Sequence, residues 1–182
     1  MRVIAGKYRG IRLTPPKDNS VRPTTDRIKE TVFNILMSRY SVEGEDVLDL
    51  FSGSGALGIE AASRGASDVV FVDASAESVR LTKENIRKIK QSYFVLHGDF
   101  KFAAKKFSGK KFGVIFVDPP YKAGLYAEVF SAIREYDLLK KDGVIVAEHG
   151  GDVKIGENES FFTVDTRKCG NTYVGFYVPK EA

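Results

Sequence analysis

Three observations predict an α/β chain built on a mostly parallel, doubly wound sheet of seven strands. From residue 46 onward, short apolar runs (47–51, 69–73, 93–97, 113–118 and 144–148) alternate with helical stretches (55–64, 75–90, 100–107 and 125–139). The runs are apolar enough to be covered on both faces, as parallel strands flanked by helices are. The last two runs, 161–167 and 173–178, are joined by a short segment containing Gly170-Asn171, which predicts an antiparallel hairpin closing the sheet.

Ahead of this body, Val3 and Ala5, then Ile11 and Leu13, alternate with basic residues around Gly6 and Gly10. That pattern predicts a small N-terminal β-hairpin, ended by Pro15 and Pro16. Thr24 or Thr25 is placed to cap a helix whose apolar face is Ile28, Val32, Ile35 and Leu36. Gly65 reads as the stop of the 55–64 helix and Ser75 as the N-cap of the next. At 182 residues the expectation is one domain over 1–182, with a hairpin extension at 1–22 and a catalytic body at 23–182.

Composition narrows the function classes. Hydrophobic residues make up 43% and charged residues 29%, ordinary globular values that exclude wholesale disorder. The single cysteine, Cys169, excludes an internal disulfide and a multi-cysteine metal site, and neither His97 nor His149 has a partner at metal-ligand spacing. There is no apolar run long enough to span a membrane and no secretory signal, so a cytoplasmic protein is expected; no metal site is expected from the Cys and His spacing, and a monomer is the expected state. Residues 1–40 hold nine bases and three acids, while the remainder holds nineteen bases and twenty-one acids. A basic end on a faintly acidic body suits a polyanionic partner.

The run after the first strand is Asp49-Leu50-Phe51-Ser52-Gly53-Ser54-Gly55-Ala56-Leu57-Gly58, and Asp73 ends the second strand. Taken literally the glycine spacing, with Asp73 twenty residues after Gly53, is the NAD fingerprint; with its strand and helix context it fits an adenosine-containing cofactor bound beyond the strand ends. Asp49 separates the candidates. A pyrophosphate would be repelled by a carboxylate in that corner, whereas the ammonium and sulfonium of S-adenosylmethionine would be attracted. Asp73 is then suited to a ribose diol, and Asp99 to the adenine amine, with Phe100 beside the ring. Strand-end acids also cap helices, which is the plainer role for any one of them.

The fourth strand runs into Asp118-Pro119-Pro120-Tyr121. Two prolines make a rigid turn whose carbonyls lack local partners. The Asp118 carboxylate and the Pro119 carbonyl can each accept one hydrogen of a planar NH2 group, and Tyr121 can stack on the attached ring. Such an amine is a poor nucleophile because its lone pair is delocalised. Acceptors on both hydrogens favour a pyramidal nitrogen, and positioning against the sulfonium methyl does most of the rest. Asp118 or solvent takes the released proton.

Together these residues resemble the class I S-adenosylmethionine-dependent methyltransferases, and more closely the RsmD family, which methylates N2 of a guanine in small-subunit (16S) ribosomal RNA. The resemblance runs from the basic opening 2–10 through Arg22-Pro23-Thr24-Thr25-Asp26-Arg27, residues 30–36, 47–58 and 118–121, to Gly170-Asn171-Thr172. It implies a Rossmann-like fold. It also implies that Asp49, Phe51, Gly53, Gly55, Asp73, Asp99 and Phe100 hold the cofactor, with Asp118, Pro119, Pro120 and Tyr121 at the target base. Arg2, Lys7, Arg9, Arg12, Arg22 and Thr24 would meet RNA, the cations on phosphates. Cys169 departs from the aromatic residue expected there and leaves the local packing open. A guanine N2 is hidden in a duplex, so a small-subunit particle presenting an unpaired base is the expected substrate.

Three rivals remain at this point. Adenine N6 or a protein glutamine amide is an alternative planar amine, an NAD(P)-dependent oxidoreductase is disfavoured by Asp49, and an RNA-binding module lacking activity is disfavoured by the retained strand-end acids. Lys101, Lys105, Lys106, Lys110 and Lys111 are read as a solvated face, and Glu148 as structural.

Overall fold

The computed structural model describes residues 1–17, 25–120, 125–150 and 161–180. Thr25 caps α1 (Asp26–Arg39) by accepting the Ile28 N–H, and Ile28, Val32, Phe33 and Leu36 face inward. Ile35 lies at the margin of the core, and the fully buried Lys29 takes the interior position beside Phe33. Five parallel strands follow with their helices: β1 (Asp46–Asp49), α2 (Ala56–Ser63), β2 (Asp68–Asp73), α3 (Ala76–Lys88), β3 (Phe94–His97), α4 (Phe100–Lys106), β4 (Phe112–Val117), α5 (Leu125–Glu135) and β5 (Leu139–Gly150). The antiparallel β6 (Phe161–Cys169) and β7 (Thr172–Pro179) close the sheet through a two-residue turn with Gly170 at φ +68°.

The strand order is β3-β2-β1-β4-β5-β7-β6, the mostly parallel, doubly wound sheet expected, with its switch point between β1 and β4. Residues of α1, α2 and α3 pack on one face with the N-terminal extension, and residues of α4 and α5 pack on the other. Glycine is required where α2 meets β2, since a Cβ on Gly58 would lie 2.3 Å from the Phe71 ring.

Two boundaries move. α5 stops at Glu135 rather than running to 139, because Asp137 turns the chain at φ +54°, a left-handed conformation that Asp tolerates. Leu139 then joins the sheet opposite Phe112, with an irregularity before Val114, so β5 starts five residues earlier than its apolar run. The extension is also slighter than a two-stranded ladder. Arg2 and Arg12 form a single antiparallel bridge, around a turn in which a Cβ on Gly6 would collide with the Ser63 carbonyl. No helix among the described residues is long and apolar enough to cross a membrane, and no metal-ligand cluster occurs among them.

Candidate functional site

α2 begins at Gly55, which has φ +78° and no side chain to cap the helix. Asp49 serves instead. Its Oδ2 accepts the Gly58 N–H at 3.1 Å, so the carboxylate at the end of β1 satisfies an orphan donor of the first turn of α2. Asp49 is only 3% exposed. Burial, together with the neighbouring Asp73 charge, pushes it up to about 7 against the pull of the Gly58 and Phe51 N–H groups. It therefore lies beneath the glycine loop rather than free in the corner.

Asp73 is half-buried at the end of β2 and accepts the Gly53 N–H on Oδ2 and the Ser75 N–H on Oδ1, each at 2.8 Å. Each oxygen retains a lone pair for an outside hydroxyl. Space is open around Gly53, where a Cβ would meet nothing within 4 Å. Phe51 and Phe100 pack with ring centroids 6.1 Å apart. Asp99 is exposed and caps α4, its Oδ1 accepting the Phe102 N–H at 2.7 Å, so one of its oxygens has the capping role. An open glycine surface, a diol-competent carboxylate and a buried acid behind the loop fit an adenosine cofactor carrying positive charge better than a pyrophosphate.

Asp118 follows β4, beside β1 and β5. Its carboxyl is held well above the usual carboxylate range by burial, by the Glu148 charge and by the Asp49 charge. Pro119 is buried and Pro120 exposed. Glu148, in β5, is 6% exposed and carries the backbone carbonyl that the Tyr126 hydroxyl reaches at 2.7 Å. The acids at the ends of β1, β4 and β5 thus influence one another electrostatically at the switch point. Tyr121, Arg22 and Thr24 lie outside the described residues.

Arg2, Lys7, Arg9 and Arg12 are all exposed on the extension. Arg2 already pairs with Asp26 at 3.2 Å. Two further N-terminal bases are not free for a polyanion: Lys29 is inside, against Asp26 and the Arg2 carbonyl, and Arg39 pairs with Asp165 at 2.9 Å. Of the lysines on and after α4, Lys101 meets Glu128 at 2.6 Å, Lys110 lies by Asp46 and Asp68, and Lys111 pairs with Asp137, which agrees with a solvated face. Cys169 is buried in the core, so the smaller side chain is packed.

The family model described as Conserved hypothetical protein 95 matches residues 1–178. The chain belongs to this family, the RsmD family. It is 40% identical over 184 residues to a Bacillus subtilis (strain 168) protein named "Putative rRNA methyltransferase YlbH", covering 97% of this chain and 98% of that one. It is 32% identical over 174 residues to the Haemophilus influenzae protein named "Ribosomal RNA small subunit methyltransferase D", covering 93% and 89%. Among solved structures, "Putative methyltransferase yhhF from Escherichia coli" superposes with a TM-score of 0.87 at 28% identity, covering 100% of this chain and 98% of that one.

Sequence reasoning missed the residues that attach the extension of this RsmD-family chain to its body. Glu60 is fully buried in α2 and accepts the Ile4 N–H at 2.8 Å, the Ala5 N–H at 3.0 Å and the Arg64 Nε–H at 2.9 Å. A lone acid within the apolar stretch 56–62 was the available signal. Thr82 and Asn85 of α3, both fully buried, hold the glycine loop from behind. Their signal was two polar residues on the helix face that carries Ile86.

Proposed function

We propose that the chain transfers the methyl group of S-adenosylmethionine to the exocyclic N2 amine of a guanine in small-subunit (16S) ribosomal RNA, acting as a cytoplasmic monomer on a small-subunit particle. The observation that carries this reading is the pairing at the switch point: the Asp118-Pro119 turn ends β4 beside β1, whose end opens into the glycine loop. A donor methyl and an acceptor amine held by those two strand ends would be neighbours. Membership of the RsmD family supports the cofactor, and the relatives' names support ribosomal RNA as the substrate class.

Bound S-adenosylmethionine supplies an activated methyl group. Asp73 would hold the ribose hydroxyls, the Phe51–Phe100 pair would border the adenine, and Asp99 would use its remaining acceptor capacity on the adenine amine. Asp118 and the Pro119 carbonyl would accept the two hydrogens of the target amine, and Tyr121 would stack on the base. On gaining the methyl group, with the sulfonium leaving as a neutral thioether, the target nitrogen would carry a positive charge and would have to lose a proton. The Asp118 carboxyl, raised by burial and by two neighbouring acids, can take that proton only in its ionised form, and otherwise solvent takes it. Arg9, Lys7, Arg12, Arg2 and Arg22 would rest on phosphates and Thr24 near the mouth.

The test is methyl transfer from labelled S-adenosylmethionine to small subunits lacking their own modification, followed by nucleoside mass analysis. Label is expected in N2-methylguanosine, and Asp118→Ala should lower turnover by about 10²-fold or more while cofactor affinity is kept. Label in N6-methyladenosine would keep the chemistry and discard the guanine. Label in glutamine would discard RNA.

A further inference from the structure

Asn85 lies in α3 and is fully buried. Its Oδ1 accepts the Thr14 N–H at 2.7 Å, while its Nδ2 donates to the Thr14 carbonyl at 3.0 Å and to the Ser54 carbonyl at 2.9 Å. One amide thus pairs with both backbone groups at the exit of the extension and with the glycine loop. Three residues earlier on the same helix, Thr82 donates to the Gly53 carbonyl at 3.0 Å. The two segments also share a cavity of about 240 Å³, lined by Thr14, Pro15, Pro16 and Lys17 from the extension and by Gly53 beside them.

We infer that Asn85 is a positioning residue that couples the N-terminal extension to the glycine loop, so that cofactor binding at the loop and RNA docking on the extension strengthen one another. Both hydrogens of Nδ2 are in use, as the side chain's donor capacity allows. A loop shift that released the Ser54 carbonyl would strand a buried donor, at a cost well above that of a solvent-exposed hydrogen bond. The loop and the residue before Pro15 therefore move together or not at all. A ligand that orders one orders the other, and the resulting gain in affinity is reciprocal. The inference rests on the S-adenosylmethionine and RNA reading above, but its central test requires no RNA.

The experiment is hydrogen exchange by mass spectrometry on the full chain, with and without saturating S-adenosylhomocysteine. In the wild-type chain the ligand should slow exchange over residues 2–14 by about five-fold or more, in line with ordinary coupling strengths. In Asn85→Ala it should still protect residues 53–58 while leaving residues 2–14 at their ligand-free rate. Thr14→Val removes the hydroxyl that donates to Glu84 but keeps both backbone bonds to Asn85, so coupling should survive there. If Asn85→Ala does not fold, Thr14→Pro deletes the donor to Asn85 from outside the helix and should weaken the coupling.

An extension insensitive to the ligand in the wild-type chain, or protected equally in Asn85→Ala, would overturn the inference. So would loss of coupling in Thr14→Val. S-adenosylhomocysteine failing to bind the wild-type chain would bring down the proposed function as well. Coupling without methylated guanine would bring down only the guanine.

Discussion

Asp49 caps a helix in the fold and would attract the cofactor in the proposed function, and the two roles pull against each other. Capping α2 through the Gly58 N–H requires only an acceptor, while attracting a cationic cofactor requires a charge. At 3% exposure the charge is costly, and the carboxyl titrates near 7 instead of its ordinary 3.8. Between those two values the folded chain binds more protons than the unfolded one, so stability falls as pH rises through that interval. Asp49→Asn should therefore stabilise the ligand-free chain at pH 8 by on the order of 2 kcal/mol, seen as a higher thermal midpoint. Binding carries the opposite sign. Below pH 7 a proton must leave before a cation can be held, so affinity for S-adenosylmethionine should climb by up to about tenfold per pH unit to near 7 and then level off. Scanning calorimetry of both chains at pH 8 checks the first, and calorimetric titration of the wild-type chain across about pH 5.5–8.5 checks the second. A flat profile for the wild-type chain would mean that Asp49 acts only as a cap.

At the scale of elements, the extension and α2 form one unit through Glu60. A short hairpin with a single bridge cannot stand alone in water. It is held because the two Glu60 oxygens take the Ile4 and Ala5 N–H groups and because Val3, Tyr8 and Leu13 reach the core. Glu60→Gln keeps one acceptor but turns an NH2 toward a backbone donor and leaves the buried Lys29 with less compensation. Denaturant unfolding should show a loss of about 2–4 kcal/mol. The KM for ribosomal particles should rise at the same time. Arg12→Gln, by contrast, should leave stability unchanged and reduce only the salt dependence of KM, its slope falling by about one unit because one fewer phosphate is neutralised. The hairpin was legible because its apolar–basic alternation is local. The clamp was not, because Ile4 and Glu60 are 56 residues apart and only the folded chain brings them together.

On the scale of the whole molecule, the same division between local and distant information runs through the sheet and its site. Strand–helix alternation and the Gly170-Asn171 turn are local patterns, and the mostly parallel seven-stranded architecture follows from them, while the strand order comes from the folded chain. The end of α5 and the start of β5 were misjudged because an Asp in a left-handed conformation leaves no mark in hydrophobic periodicity. Strand-end acids were legible as a set, but their divided duties were not: Asp49 and Asp99 cap helices, while Asp118 draws its electrostatics from β1 and β5, far away in sequence.

That layout also bears on substrate choice. The extension lies on the α1–α3 face, and its exposed Lys7, Arg9 and Arg12 would contact phosphates, which carry no sequence information. Asp118 and Pro119 would accept from an amine that every guanine possesses. On that reading neither end of the molecule distinguishes one guanine from another, and selection would come from how the substrate holds its backbone on the extension while offering one unpaired base to the ends of β1 and β4. An assembled particle fixes that distance and a short flexible RNA does not. The expected result is a kcat/KM on undermethylated small subunits at least about 10²-fold above that on a short single-stranded RNA of the same sequence, the size of a positioning effect. Competition of the two substrates for labelled methyl groups in one reaction gives the ratio directly. Equal labelling would move the specificity from the particle to a base-reading contact within the chain, and residues 18–24, which follow Lys17 in the sequence, would be the first place to look for it.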